Sequence, residues 1–277
     1  MNVTVTTPDS LGHCHAVLAG LLGSEIEPLS VAREVDEHRQ YWRPKNPKLV
    51  LLAESHVRTT EAELQGTIKA LDSIPKSIPR SFVKFVYCLG YGESELLSGP
   101  VKSNPGTVHF WKIFHSCLNS VNQKEDFASL LKARTSLPER LDNKLRLLER
   151  MKVEGIWLVD ASIVALYQRG SPKPRTTLYN QVLKSSWKEY VCSLIEEARP
   201  DGILCVGFAV ARALKTELDK LRSERGIKWG VVKQPNARLS STEHLCIFDA
   251  YHRVSNKPKH ARALSKKWFR QCFPTKE

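Results

Sequence analysis

The chain has 277 residues and a formal net charge of +13, from 42 lysine and arginine residues against 29 aspartate and glutamate residues. A hydrophobic content of 42% with six tryptophans is ample for a large core and excludes a disordered chain. The excess of positive charge is typical of proteins that bind a polyanion, nucleic acid above all, although a generally basic surface gives the same balance.

The seven cysteines include no C-x-x-C pair, and their spacing matches neither a zinc site nor an iron–sulfur cluster. Reduced thiols of this kind predict a cytoplasmic protein. No apolar run approaches the length of a membrane span, and the N-terminus lacks the pattern of a signal peptide. Neither of the common glycine-rich nucleotide-binding motifs is present, and we expect no cofactor and no metal ion.

The first half of the chain alternates helical patterns with apolar runs of strand length. Two helices are predicted within an N-terminal extension over residues 1–44, and the first strong strand follows them. In chain order, the predictions are helices at 11–22 and 31–41, a strand at 48–53, a helix at 60–71, a strand at 82–88, and helices at 108–118 and 138–153.

The second half repeats the alternation and ends in a basic tail at 257–277. The run at 155–162 is apolar up to its one acid, Asp160, and such a run is typical of a strand buried between two helical layers. Further strands are predicted at 202–207 and 229–232, with helices at 187–198 and up to about residue 221. We therefore predict one domain over residues 1–277, a three-layer α/β/α sandwich around a mostly parallel sheet of four to five strands.

Chemically reactive side chains follow several of these strands. Asp160 ends the central apolar run, and ligands of open α/β sheets bind just beyond the carboxyl ends of the strands. The alternative is that Asp160 only caps a following helix. The other strand ends carry Glu54, Ser55, His56 and Val57, then Tyr87 and Tyr91, then Gln234, Asn236, Arg238 and Leu239.

The order of these features resembles the uracil-DNA glycosylase superfamily across roughly residues 45–255. In that family the first strand ends in a motif such as G-E-A-P-G or G-Q-D-P-Y, and this chain has A-E-S-H-V at 53–57. The sequence H-F-W-K at 109–112 looks like the H-F-W-K helix of the mismatch-specific branch. The family's last motif, H-P-S-P with a wedge residue, is similar to Q-P-N-A-R-L at 234–239.

The resemblance implies an enzyme that flips a base out of DNA into a pocket. It implies that Tyr87 or Tyr91 stacks on the flipped base, and that Asp160 stands where the family has an asparagine that reads the base edge. Gln234 replaces the family's histidine, a donor to the departing base. Gln234 and Asn236 are neutral and weaker donors, so Asp160 is the candidate source of the proton.

Cleavage of a sugar–base bond builds positive charge on the sugar and negative charge on the base, so the site needs a carboxylate or a held water near the sugar. Glu54 is the acid of the first strand end, and we predict that it positions or activates water, unless it is a buried structural residue. His56 is a candidate donor or part of a turn. Ser55 completes the candidate catalytic set.

Asp160 also bears on the identity of the base. A carboxylate accepts well from the N4 amino group of cytosine, and a proton shared with N3, favoured by burial, would complete the pair. Val57 is smaller than the tyrosine that crowds position 5 in one branch of the family. We therefore predict a 5-modified cytosine as substrate, such as the hydroxymethylated or glucosylated bases of phage DNA, and a role in antiviral defence.

Three other interpretations stay open. The protein could be a repair glycosylase for uracil, hypoxanthine or a mismatched pyrimidine, or it could be a non-catalytic DNA-binding protein. The third, an unrelated nucleotide enzyme, is disfavoured because the phosphate-loop motif is missing. DNA, double- or single-stranded, is the predicted partner. The predicted DNA contacts are Lys173, Arg175, Arg238 and Leu239, the last two as candidates to fill the gap left by the base, although each could be ordinary solvated surface.

Overall fold

The computed structural model describes residues 9–119, 124–167, 174–233, 244 and 247–251. Two sheets are present in this part of the chain, one of four strands and one of two. The strands are β1 (Leu49–Ala53), β2 (Thr67–Ile68), β3 (Leu97–Ser98), β4 (Ile156–Asp160), β5 (Gly202–Val206) and β6 (Lys228–Val232).

The larger sheet is entirely parallel and has the strand order β4-β1-β5-β6. Every residue of β1, β4 and β5 is buried, as expected for apolar strands covered on both faces. From β1 the chain moves to one edge of the sheet, and from β4 it returns past β1 to β5. Right-handed connections therefore place the helices of these two crossovers on opposite faces, and the predicted three-layer α/β/α architecture is confirmed.

The described helices are α1 (Ser10–Leu22), α2 (Leu29–Tyr41), α3 (Glu61–Leu64), α4 (Val108–Leu118), α5 (Leu137–Glu154), α6 (Thr176–Ser186), α7 (Cys192–Ala198), α8 (Phe208–Ala213) and α9 (Lys215–Arg225). Helix α5 packs against α4 and β4, whereas α6 packs against α1 and α8. Leu18 of α1 and Val35 of α2 belong to the main core cluster, so the N-terminal helices are packed into the fold. Within the described ranges, none of the helices is long and apolar enough to cross a membrane.

The predicted strand at 82–88 is wrong, because these residues form a series of turns. The Phe85 N–H donates to the Val83 carbonyl, and the Cys88 N–H donates to the Phe85 carbonyl. Edge strand β4 gains no backbone partner from this segment; instead its Leu158 N–H donates to the hydroxyl of Tyr87. The run is apolar because it packs in the core, and burial alone does not select a strand.

The predicted helix at 60–71 is also much shorter than expected. Helix α3 has a capping box between Thr60 and Glu63, but it ends before Gly66. A Cβ at Gly66 would lie 2.7 Å from the Val101 side chain, so this glycine lets two segments meet closely. Beyond it the chain forms β2, which pairs with β3. The helix predicted at 187–198 begins instead at Thr176 and passes through a π-helical turn at Trp187–Val191.

Candidate functional site

A cavity of about 350 Å³ opens at the carboxyl ends of β1, β4 and β5. Its walls are formed by residues 54–57 after β1, by 84–86 and by 105–107, with Leu158 and Val206 from the neighbouring strands. The chain leaves β1 and β4 in opposite directions, so the crevice lies at a topological switch point of the sheet. This is the position at which ligands of open α/β sheets bind.

Glu54 continues β1 into the cavity wall and is 8% exposed. Its backbone carbonyl accepts from the Ser162 N–H at 3.0 Å, which extends the pairing of β1 with β4 by one residue. The hydroxyl of Tyr179, on α6, donates to Oε2 of Glu54 at 3.1 Å. Burial, followed by the charge of Glu54, raises the pKa of Tyr179, so this tyrosine stays a donor. The carboxylate of Glu54 therefore has a fixed orientation at the cavity.

Asp160 lies in the same cavity wall and is 2% exposed. Its Oδ2 atom is 3.4 Å from Nη2 of Arg39 and 3.4 Å from Nδ1 of His56. Two cationic side chains thus face one buried carboxylate oxygen. Bends follow β4 at 161–164, so Asp160 does not cap a helix.

His56 is buried between two acids. Its Nε2 atom is 2.6 Å from Oε2 of Glu27, and its Nδ1 atom faces Asp160. A carboxylate oxygen can only accept, so both ring nitrogens carry a proton and the ring is an imidazolium. Burial lowers the pKa of His56, but the charges and hydrogen bonds of Glu27 and Asp160 outweigh burial and raise the pKa to about 9. His56 is a charged member of the site and not only part of a turn.

Glu27 connects the N-terminal helices to the site. It precedes Pro28, the cap of α2, and its side chain is fully buried. Besides His56, its Oε2 atom accepts from the Ala165 N–H at 2.5 Å, and its Oε1 atom accepts from the Thr59 N–H at 3.4 Å. One carboxylate therefore joins the segments that follow β1 and β4 to the connection between α1 and α2.

The predicted base-stacking residues have different positions. Tyr91 lines the cavity, whereas Tyr87 does not. Tyr87 is 1% exposed and packs edge-on against Phe85, and its hydroxyl accepts from β4. Phe85 lines the cavity instead, together with Phe110 from the H-F-W-K segment. The aromatic walls available to a ring are therefore those of Phe85, Tyr91, Phe110 and Tyr167.

Ser55 and Val57 both line the cavity. The hydroxyl of Ser55 donates to the His56 carbonyl and accepts from the Leu166 N–H, each at 3.1 Å. Ser55 thus holds the loop after β1 against the loop after β4. The Val57 N–H donates to the Lys84 carbonyl at 3.1 Å, which fixes the opposite side of the cavity.

The wall at 105–107 depends on a close approach between two glycines. Gly106 has φ +69°, and a Cβ there would lie 2.7 Å from the Cα of Gly92. The Asn104 side chain accepts from the Gly92 N–H at 2.6 Å, which keeps the two loops together. Next to this contact, the buried Glu93 is bound by Arg140 and Lys144 of α5. The wall is therefore anchored to a helix outside the cavity.

The predicted DNA contacts are described only in part. Arg175 is exposed and stands at the N-cap of α6. The remaining predicted contacts and base-edge residues lie outside the described residues, namely Lys173, Gln234, Asn236, Arg238 and Leu239.

Several residues of the site were not predicted from the sequence, among them Glu27, Arg39, Phe85, Phe110, Tyr167 and Tyr179. Arg39 did carry a signal. It follows Val31 and Val35 at intervals of four, on the stripe of α2 that faces the core. A cation on a buried stripe requires a buried partner, and here the partners are Asp36 and Asp160.

Neither a family model, nor a curated protein, nor a solved structure matches this chain. The resemblance to uracil-DNA glycosylases therefore rests on the motifs alone. In the part of the chain that the structure describes, no group of three His, Cys, Asp or Glu side chains is arranged so that it could hold a metal ion.

Proposed function

We propose that the protein is a monofunctional DNA glycosylase, which flips a base out of DNA and hydrolyses its N-glycosidic bond to leave an abasic site. The observation that supports this proposal is the presence of two buried carboxylates, Glu54 and Asp160, in one cavity with aromatic walls at a sheet switch point. Such a cavity suits a flat ring stacked on an aromatic side chain and read at its edge by a charged acceptor. The net positive charge of the chain suits a polyanionic partner.

In the proposed reaction, Glu54 acts at the sugar. Its carboxylate accepts from Tyr179, so one oxygen is oriented by the protein and the carboxylate can hold or deprotonate an attacking water. The same negative charge stabilises the positive charge that develops on the sugar as the bond to the base breaks. This role needs no metal ion and no covalent intermediate.

Asp160 acts at the base in this proposal. Because both cations contact Oδ2, the carboxylate of Asp160 is an acceptor with a fixed orientation. A carboxylate pairs with the N4 amino group and the N3–H of a cytosine that has taken up a proton from solvent at N3, because both groups are donors. A proton at N3 also makes the base a better leaving group. Uracil presents an O4 acceptor at the same edge and is repelled.

The favoured substrate is a cytosine modified at position 5, with a hydroxymethyl or glucosylated group as in some phage DNA. Release of unmodified cytosine would damage the host's own DNA, so discrimination must come from the substituent. Val57, in the cavity wall, is the candidate for the side that receives the substituent. An enzyme with this specificity would act in antiviral defence.

The test is base release from matched DNAs that contain uracil, cytosine, 5-hydroxymethylcytosine or its glucosylated form, detected as strand cleavage after alkali. We expect release from the modified cytosines only, loss of release in Glu54→Gln, and loss or a shift toward uracil in Asp160→Asn. Asp142→Asn, on the exposed surface of α5, is the control. Release of uracil by the wild type would instead indicate a repair glycosylase. Salt-sensitive binding without any release would indicate a DNA-binding protein without catalytic activity.

A further inference from the structure

Five buried or partly buried charged side chains contact one another in a continuous series, the chain of charges, which leads away from the cavity. The chain of charges consists of Asp36, Arg39, Asp160, His56 and Glu27, with alternating sign. Its contacts are 2.7 Å from Asp36 to Arg39, 3.4 Å on each side of Asp160, and 2.6 Å from His56 to Glu27. Of these residues only Asp160 and His56 line the cavity.

We propose that Glu27 and Arg39 are positioning residues of the site, which hold His56 and Asp160 in the orientation that meets the base. This inference rests on the proposed function. Neither residue touches the space that a substrate would occupy; each acts through the side chain next to it. The helices α1 and α2 are then a necessary part of the site and not an accessory extension of the sheet domain.

The argument for Glu27 follows from the hydrogen bonds of the imidazole. His56 can donate to both acids at once only while the ring carries two protons, with the Nδ1 proton on the side of Asp160 and the Nε2 proton held by Glu27. Without the charge of Glu27, burial would favour a neutral ring with a single proton. A neutral ring that keeps its proton on Nε2 offers Asp160 a lone pair, which repels the carboxylate.

The argument for Arg39 rests on its two-sided contact. Nη1 of Arg39 donates to Asp36 and Nη2 donates to Asp160, so the guanidinium spans two acids that a lysine could not bridge in the same way. Tyr190 donates to the same oxygen of Asp36 at 2.9 Å, which fixes the far end of the chain of charges. Asp160 is therefore contacted both by Arg39 on α2 and by His56 in the loop after β1.

The charged groups that face His56 come from several elements. Glu27 approaches from the connection between α1 and α2, Asp160 from β4, and Arg39 stands behind Asp160 on α2. Lys84 lines the same cavity but pairs with Glu63 at 2.7 Å. Glu54 lies two residues before His56 and accepts from Tyr179. Among these groups only Glu27 and Asp160 contact the imidazole directly.

The first test follows the protonation of His56 by ¹⁵N NMR of the imidazoles in the full chain, in the wild type and in Glu27→Gln. Glutamine keeps the size of the side chain and one acceptor oxygen, but it removes the charge. We expect His56 to hold its second proton to alkaline pH in the wild type and to lose it at a pH lower by about one unit or more in Glu27→Gln. His38, which faces the Ser81 carbonyl, is the internal control and should not change.

An unchanged His56 titration in Glu27→Gln would overturn the proposal. If that variant does not fold, the titration of His56 in the wild type alone still tests the proposal. A wild-type His56 that loses its second proton near neutral pH would also overturn it. The measurement requires no substrate and is therefore independent of whether the protein releases a base.

The second test measures base release by Glu27→Gln under single-turnover conditions. We expect the rate to fall on the order of 100-fold with DNA affinity unchanged, because a small misplacement of Asp160 affects the reacting geometry and not the grip on DNA. Leu218→Ala, a core truncation on α9, controls for a general loss of stability. A Glu27→Gln rate equal to that of Leu218→Ala would assign Glu27 a structural role only. If the wild type releases no base, the proposed function fails while the NMR result still stands.

Discussion

Ala53 of β1 and Asp160 of β4 are partners in the parallel register of the sheet. Glu54 follows Ala53 directly, so the two acids leave the sheet at the same edge and line one cavity. Their partners nevertheless differ. Glu54 accepts from the neutral hydroxyl of Tyr179, whereas Asp160 faces two cations. Two carboxylates in different surroundings can take different roles in a reaction.

Asp160→Asn should destabilise the protein, in addition to the change of base specificity proposed above. The substitution leaves the buried cations Arg39 and His56 without the charge between them, and we expect a loss of roughly 3 kcal/mol in the free energy of unfolding. Urea denaturation measures this loss. Asp142→Asn breaks a solvent-exposed pair with Arg146 and should have little effect. Equal stability of the two variants would contradict the ion pairing of Asp160.

Tyr179→Phe should slow base release without unfolding the protein. The change removes the hydroxyl that donates to Glu54 and leaves the ring in place. Because a hydrogen bond to a charged group contributes a free energy that corresponds to roughly a 10-fold change in rate, we expect the rate of base release to fall by about that factor. Tyr41→Phe removes a comparable hydroxyl that contacts Ser77 outside the cavity, and it should keep the wild-type rate. Single-turnover kinetics with both variants decides whether Tyr179 orients Glu54.

Much of the sheet was predictable because its strands are short, continuously apolar runs between helical patterns. The segment at 82–88 has the same local character but forms turns. What distinguishes it is a tertiary contact, in which the Tyr87 hydroxyl takes the place of a strand beside Leu158. No local pattern carries this information, so the error could not be corrected from the sequence.

The site residues that follow strands could be predicted from the sequence, whereas those that helices bring to the site could not. Glu54 and Asp160 were identifiable because the carboxyl ends of parallel strands meet at one edge. Glu27 lies 29 residues from His56 in the chain, and Arg39 lies 121 residues from Asp160. Contacts at such separations depend on how the helices pack on the sheet, which the sequence pattern does not specify.

Gly106→Ala should be more damaging than Gly226→Ala. Both glycines have a left-handed backbone, with φ +69° and φ +72°, so both substitutions share a strain of about 1 kcal/mol. At Gly226 the new methyl group meets no atom within 4 Å apart from its own residue and the two next to it in the chain, whereas at Gly106 it would meet the Cα of Gly92 at 2.7 Å. We expect a further loss of roughly 2 kcal/mol for Gly106→Ala. Urea denaturation of the two variants measures the difference, and equal losses would contradict the close approach.

Arg175→Ala should weaken DNA binding to a similar extent for all sequences. Arg175 is exposed at the N-cap of α6, where a contact to a phosphate carries no sequence information. We expect the slope of log affinity against log salt to become shallower by about 1. Lys220→Ala, on the exposed surface of α9, is the control and should leave the slope unchanged. An equal slope for the wild type and Arg175→Ala would remove Arg175 from the proposed DNA interface.

The buried imidazole of His56 should couple stability to alkaline pH. Its pKa is about 9 in the folded protein against an ordinary value of 6.5. Because the folded-state pKa is raised, the stabilisation is fully present below about pH 6.5 and is lost as the pH rises through about 9. We expect the stability advantage of the wild type over Glu27→Gln to shrink across this window by up to about 3 kcal/mol.

The measurement is urea denaturation of both proteins at a series of pH values, so that other groups titrating in this range cancel in the comparison. His38 provides a further check. Burial lowers the pKa of His38 to about 4, although its hydrogen bond with the Ser81 carbonyl opposes this. The contribution of neutral His38 to the free energy of unfolding is therefore lost at acid pH, as the pH falls through about 4. This loss should be the same in the wild type and in Glu27→Gln. Parallel stability curves between pH 6.5 and pH 10 would show that Glu27 does not hold the second proton of His56.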